Sequence, residues 1–194
     1  MIPAGEGRRA LDLGCGPGRF SSILAARGWR VTAVDTDSQN VAQAAQYGDA
    51  RLGDAITVLK TLDSGAYGLV LALELIEHMP VSHAMELLQD VARVLGPKGE
   101  VIVSTPNRHS PEGLGGYYWG ERVRGWGKWN AWDPTHVHIY TSGEAIGLVR
   151  RCFDVRNVTG YWYEGYRVKL PLLSSDSFPM NRLGFNVLIR GVRA

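Results

Sequence analysis

The stretch Ala10 to Phe20, ALDLGCGPGRF, places an acidic residue, Asp12, and three alternating glycines, Gly14, Gly16 and Gly18, at the end of a short apolar run. Arg8 to Leu13 reads as a buried strand and a helix is expected to begin near Arg19. Between them the glycines permit a turn tight enough for backbone amides to approach a ligand with no Cβ in the way. The spacing discriminates between ligands. A dinucleotide fingerprint wants G-x-G-x-x-G, but here the third glycine comes one residue early and Arg19 stands in the expected place. The loop therefore points to a nucleotide-like cofactor other than a nicotinamide.

Working outward, apolar and often β-branched runs alternate with helical patterns, the order of a parallel sheet covered on both faces. A helix over Phe20 to Arg27 closes at Gly28, and a strand over Arg30 to Val34 ends in Asp35. Ser38 is expected to cap a helix reaching about Tyr47. Ala50 to Leu52 reads as a strand, Ile56 to Leu62 as a helix and Gly68 to Leu73 as a strand. A helix over Ser82 to Leu95 is stopped by the Gly96-Pro97-Lys98-Gly99 turn, before a strand over Glu100 to Ser104. The pattern then breaks for almost thirty residues. It resumes with a helix from about Ser142 to Arg151, a strand around Phe153 to Thr159 and a last strand near Phe185 to Arg190.

Composition sets outer bounds. A chain of 194 residues suits a single domain, residues 1–194, and its 45% hydrophobic and 21% charged content is that of an ordinary globular protein. The net charge of +2 demands no nucleic acid. Cys15 and Cys152 suggest neither a disulfide framework nor a metal knuckle, so a reduced, cytoplasmic setting is expected. The first ten residues lack the apolar region of a signal peptide, and no run approaches a membrane span.

Acidic residues recur at successive strand ends, where ligands of open α/β sheets bind. A carboxylate at Asp35 matches two neighbouring ribose hydroxyls. Asp54, in Leu52-Gly53-Asp54-Ala55, is placed to accept from an adenine amino group, with the Ala55 amide donating to a ring nitrogen. Each of the two also reads as a turn or helix-capping residue.

Four blocks carry a resemblance in order and spacing: LDLGCGPG, VTAVDTD, LGDA, and LVLALELIEHM followed by RVLGPKGEVIVSTPNR. Over Ala10 to Asn107 the chain resembles the cofactor half of a class I S-adenosylmethionine-dependent methyltransferase. The resemblance implies a doubly wound α/β fold, a mostly parallel seven-stranded sheet with an antiparallel last strand. It implies S-adenosyl-L-methionine as cofactor and a small-molecule acceptor, methylated at oxygen. Asp12 with the backbone of Gly14, Cys15, Gly16 and Gly18 would surround the methionine part and Asp35 the ribose. Thr36 would line the adenine pocket beside Asp54 and Ala55, and the Leu73 carbonyl would face the cofactor's amino group.

Glu74-Leu75-Ile76-Glu77-His78 follows the fourth strand. Glu74, Glu77 and His78 resemble the E-x-x-E-H block of the ubiquinone-biosynthesis O-methyltransferases, in which these positions can bind a divalent ion. An EH pair here is also widespread without metal, so no metal site is assigned. His78 and Glu74 are the catalytic candidates, with His136, which matches the H-x-x-x-aromatic-Ser/Thr element in Asp133 to Thr141. His83 and His109 are expected to face solvent.

Asn107 to Pro134 holds four of the six tryptophans, two tyrosines, six glycines and four basic residues. It is expected to be a lid or acceptor-pocket insertion, with Tyr117, Tyr118, Trp119, Trp126, Trp129 and Trp132 as contacts and Arg108, Arg122, Arg124 and Lys128 drawing an anionic acceptor. Subdomain packing, a dimer contact or peripheral membrane contact are the competing readings. Tyr161, Trp162, Tyr163 and Tyr166 are a second aromatic group that would line the same pocket. Many relatives carry a helix before the glycine loop; the expectation is either that Asn107 to Pro134 takes over its role or that the chain has been shortened, with loss of activity. A base-flipping Asn/Asp-Pro-Pro-Tyr block is absent after the fourth strand, so no nucleic-acid partner is expected.

Overall fold

The computed structural model describes residues 2–125, 127–131, 133–161 and 186–193. Strands β1 (Arg9–Leu13), β2 (Arg30–Asp35), β3 (Gly48–Leu52), β4 (Tyr67–Leu73), β5 (Leu95–Pro106), β6 (Asp154–Tyr161) and β7 (Asn186–Val192) form a seven-stranded sheet of order β3-β2-β1-β4-β5-β7-β6. The β3-β2-β1-β4-β5 part is parallel, and β7 is antiparallel to both β5 and β6. The expected doubly wound class, with its antiparallel final strand, is therefore the observed one. Trp162, Tyr163 and Tyr166 lie outside the described residues, as do Trp126 and Trp132, and the side chain of Tyr161 is likewise not described.

The central strands β1, β2 and β4 are largely apolar and buried because both faces are covered there. Successive side chains leave a strand on opposite faces. Leu11 and Leu13 thus join one core with residues of α3 (Ala55–Lys60), α4 (Val81–Val94) and α6 (Ser142–Arg150). Ala10 turns to the other core, with Leu24 of α1 (Arg19–Ala26) and Ala44 of α2 (Ser38–Ala44). Asp12 falls on that second face by the same alternation, which puts it beneath α1.

Caps fix where the chain leaves each strand. Ser38 is not the cap of α2. Asp37 takes that position, its Oδ1 accepting from the Gln39 amide at 2.7 Å, because the backbone is still extended at Asp37 and Ser38 is already the first helical residue. Asp54 caps α3 and accepts from the Thr57 amide at 3.0 Å. Thr141 and Glu144 form a reciprocal capping box at α6.

Two other expectations are corrected. Gly96 to Gly99 does not separate α4 from β5, since the strand begins at Leu95, opposite Tyr67, and absorbs the turn as an irregularity in the β4–β5 register. The break after Asn107 is not without structure: α5 (Pro111–Gly113), capped by Ser110, runs into π-helical turns over Leu114–Glu121. No described helix is long and apolar enough to cross a membrane.

Two glycines test the packing. A Cβ at Gly48 would meet the Val31 carbonyl oxygen of the neighbouring strand at 2.3 Å, whereas a Cβ at Gly147, inside α6, would meet nothing within 4 Å. Denaturant titration is therefore expected to show Gly48→Ala destabilising the fold by about 1–3 kcal/mol. Gly147→Ala is expected to stabilise it by up to about 1 kcal/mol.

Candidate functional site

In the strand order the chain turns back on itself between β1 and β4, since β2 and β3 lie to one side of β1 and β4 and β5 to the other. The carboxyl ends of β1 and β4 flank this switch point, where a crevice opens in doubly wound sheets. Gly14 to Gly18 leaves β1 there. The amides of Gly14 and Cys15 both donate to the Val34 carbonyl, at 2.9 and 3.0 Å, and Gly14, Gly16 and Gly18 take φ values of +67°, +52° and +90°. A Cβ at Gly16 would meet nothing within 4 Å, so the space over the middle of the loop is open.

Asp35, at the end of β2, ties this loop down. Its Oδ2 accepts from the Gly16 amide at 2.8 Å, and its Oδ1 accepts from the Asp37 amide at 2.9 Å and from Asn40 Nδ2 at 3.2 Å. A carboxylate has about four acceptor directions, and three are engaged. Release of the long, side-chain contact from Asn40 leaves two for a ligand diol. The chemistry and position of Asp35 thus fit a ribose.

Asp54 lies at the end of β3, where its side chain serves the α3 cap through Oδ1. Ala55 is the first residue of α3, and a first-turn amide has no intrahelical acceptor. Thr36 is exposed beside Asp35, and the exposed side chain of Leu52, opposite Asp35 in the β2–β3 register, adds an apolar surface that the sequence reading did not single out. The β1–β4 ladder ends with Leu13 opposite Ala72, so Leu73 stands one residue past it at the crevice.

Asp12 and Cys15 are less available than the loop backbone. Asp12 is buried and accepts from Ser21 Oγ at 2.7 Å. Burial raises its carboxyl to about 6, against the lowering effect of Ser21. The Cys15 thiol donates to the Gly16 carbonyl and is pushed up to about 12, chiefly by burial.

Beyond β4 lies a second group. Glu74, at φ +50°, is directed toward the sheet: its carboxylate accepts from Ser104 Oγ and Asn186 Nδ2, both at 2.5 Å. Glu77 is wholly buried, and neither of its carboxylate oxygens has a hydrogen-bond partner among the described residues. Burial, reinforced by the charge of Glu74, holds its carboxyl well above the ordinary carboxylate range. The Glu77 main-chain carbonyl accepts from the amides of Val137 and His138, at 2.8 and 3.1 Å. These bonds dock the segment after Asn107 onto the Ile76–His78 turn. His136 is thereby brought to His78, ring centroids 4.7 Å apart, with its Nε2 4.0 Å from Glu77 Oε1.

Burial and the neighbouring His136 lower the pKa of His78, against the raising effect of Asp133. His78 is then a neutral imidazole at neutral pH. Glu77, His78 and His136 present ligand-type atoms within 4.8 Å of one another, a group a divalent cation could bridge. Glu74, which completes the resembled block, is not part of this group, and its carboxylate is engaged by Ser104 and Asn186.

The other site expectations divide. His83 is exposed as expected, but His109 is half-buried and its Nε2 lies 3.2 Å from the Tyr118 hydroxyl, because Asn107 Oδ1 holds the His109 amide in the turn. Arg108 is committed to Glu144, with Nη2 3.0 Å from both carboxylate oxygens, rather than left for an anionic acceptor. Residues not foreseen include Thr135, Asn186 and Ser104. Only Thr135 carried a signal, as part of the Asp133 to Thr141 element.

The model of the methyltransferase-domain family matches residues 2–151, more than half the chain. The chain belongs to that family. It is 33% identical over 135 residues to the ubiquinone biosynthesis O-methyltransferase of Rickettsia typhi, covering 68% of this chain and 52% of that protein. It is 40% identical over 110 residues to the protein of the same name from a Caulobacter species, covering 53% and 42%. This methyltransferase-family chain thus spans about half the length of the curated relatives it matches. Among solved structures, a possible histamine N-methyltransferase of Thermotoga maritima superposes with a TM-score of 0.72 at 18% identity, covering 100% of this chain and 84% of that one. A SAM-dependent methyltransferase from Archaeoglobus fulgidus gives 0.70 at 20%, covering 96% and 86%. At those identities the two share the fold.

Asp12 offers a pH test. Its folded carboxyl, at about 6, lies above the ordinary 3.8, so its burial as an anion opposes folding at high pH, and the opposition fades as pH falls through about 6. Asp12→Asn keeps an acceptor for Ser21. It is expected to be more stable than the parent at pH 8, by up to about 3 kcal/mol, with the difference shrinking toward pH 4 in chemical denaturation.

Proposed function

We propose that this chain transfers the methyl group of S-adenosylmethionine to a small-molecule acceptor at oxygen. The observation that carries the reading is the glycine loop at the β1–β4 switch point, with Asp35 and Asp54 on the next two strand ends. Asp35 would hold the ribose, the Ala55 amide and Asp54 the adenine beside Thr36 and Leu52, and the loop from Gly14 to Gly18 the methionine portion near Leu73. Asp12 and Cys15 would support the loop from beneath rather than touch the ligand. When bound, the cofactor supplies a methyl carbon on a sulfonium that already carries its leaving group, so alignment of the acceptor does much of the work.

The second group would serve the acceptor. His78, neutral and on the turn after β4, would take the hydroxyl proton, and His136 and the buried acid Glu77 would shape its surroundings. Glu74 would anchor β4 to β5 and β7. The segment from Asn107 to Pro134 would complete the acceptor pocket, which its docking on Glu77 supports. Methylation at oxygen is supported by the names of the Rickettsia and Caulobacter relatives. The free thiols of Cys15 and Cys152 fit a reduced, cytoplasmic setting.

Calorimetry with S-adenosylmethionine and its demethylated product, followed by turnover on a panel of phenols and catechols, tests this reading. Both ligands are expected to bind, and Asp35→Ala to weaken each by roughly 10- to 100-fold, the effect of stranding buried hydroxyl donors. Unchanged affinity in Asp35→Ala would displace the ribose site. Binding without turnover on any acceptor would make the chain a cofactor-binding module of the same fold.

A further inference from the structure

Three residues before the α6 region, Asp133, Pro134 and Thr135, build a turn whose polar atoms settle the proton position on His78. Asp133 Oδ1 accepts from the Thr135 amide at 2.8 Å and from Thr135 Oγ1 at 2.6 Å. Thr135 Oγ1 also lies 2.9 Å from His78 Nδ1. A hydroxyl has one proton to give and two lone pairs. An ionised carboxylate can only accept, so the short contact to Asp133 takes the Thr135 proton, and Thr135 must accept at its other contact. His78 Nδ1 therefore carries the hydrogen. A neutral imidazole has only one N–H, which leaves the Nε2 lone pair bare, and Nε2 has no hydrogen bond among the described residues.

We infer that Asp133 and Thr135 are positioning residues that lock His78 in its Nδ1–H tautomer and keep its Nε2 as the only basic nitrogen. This order runs against the intrinsic preference of free histidine, which carries its proton on Nε2, so the protein must impose it. The Pro134 ring stiffens the turn between the two relay residues. The two amide bonds from Val137 and His138 to the Glu77 carbonyl hold the turn against the Ile76–His78 element. His136 is set in the same sense by a separate contact, since its Nδ1 lies 2.8 Å from the Asn130 carbonyl, which can only accept. The charged and titratable groups around His78 are His136, Asp133, Glu74 and Glu77, one of whose carboxylate oxygens lies within 4.8 Å of a His78 ring nitrogen, and none of them replaces Thr135 at Nδ1. The use of Nε2 to take the acceptor's proton rests on the methyltransferase reading; the tautomer itself does not.

Long-range nitrogen–proton correlation spectra of the full chain with ¹⁵N-labelled histidine, recorded above the titration of His78, read the tautomer directly. The parent is expected to show a pyrrole-type Nδ1 and a pyridine-type Nε2. Thr135→Val removes the acceptor and is expected to move the proton to Nε2. Asp133→Ala frees the Thr135 hydroxyl to donate to Nδ1 and is expected to do the same. Thr135→Ser is expected to retain the parental pattern. With a phenolic acceptor, kcat is expected to fall about 10- to 100-fold in the first two variants and to recover in the third, while calorimetric affinity for S-adenosylmethionine stays within about twofold. That retained affinity, with an unchanged melting temperature, excludes simple misfolding. An Nε2–H tautomer in the parent, or an unchanged tautomer in Thr135→Val, would overturn the relay. A parental Nδ1–H tautomer that moves in both variants, in a chain without methyl turnover, would uphold the relay and count against the proposed function alone.

Discussion

The contact from the Gly16 amide to the Asp35 carboxylate, 2.8 Å long, joins the end of β1 to the end of β2 and is the constraint on which the cofactor half depends. Gly14, Gly16 and Gly18 all have positive φ, a backbone course that residues with a Cβ adopt at a cost. The loop is held in that course from below by the Val34 carbonyl and from the side by Asp35. Asp35 in turn draws in Asp37, whose own side chain caps α2, so one carboxylate sets the loop, the turn and the helix start. A nucleoside diol arriving at Asp35 would meet a group already oriented by the fold, which is preorganisation in a literal sense.

The acceptor half depends on a different kind of constraint. The Glu77 carboxylate is buried with no hydrogen-bond partner among the described residues, yet its main-chain carbonyl holds two amides of a segment sixty residues away in sequence. That docking places Thr135 and His136 beside His78, and the base of the same segment is closed by the Arg108 amide on the Tyr140 carbonyl at 2.8 Å. A buried carboxylic acid, two imidazoles and a hydroxyl relay thereby share one small volume. Burial favours the neutral form of Glu77, and partial desolvation with the neighbouring His136 favours that of His78, whose ring stays exposed.

Much of the sheet was legible from sequence because β1, β2 and β4 are largely apolar, buried runs, and because Gly14 follows β1, Asp35 ends β2 and Gly53 follows β3, so that period and punctuation agree. Asp35 and Asp54 were legible for the same reason, being the punctuation itself. The turn reading of each is what the structure shows: Asp54 caps α3 and Asp35 accepts from the Asp37 amide, and the proposed ligand contacts would fall on the same side chains. Ser38 misled because Asp and Ser are both good caps, and only backbone geometry chose between them. Glu74 was read as a catalytic candidate on residue type alone, and its contacts with Ser104 and Asn186 could not be read the same way. Asn186 lies 112 residues away in sequence, and no local pattern could announce it. Thr135 escaped notice because its role is a direction of hydrogen bonding, which residue type alone does not encode.

The central claim is that the carboxyl edge of β1 to β4 is a nucleoside site built on Gly16 and Asp35. A crystal structure of the chain soaked with the demethylated cofactor tests it most directly. The account predicts adenosyl density across the ends of β1, β2 and β3, with both ribose hydroxyls on Asp35, Asn40 displaced, and the amino-acid tail over Gly14 to Gly18. Adenosyl density at any other edge of the sheet, or a ribose that leaves the Asp35 contacts to Asn40 intact, would contradict it.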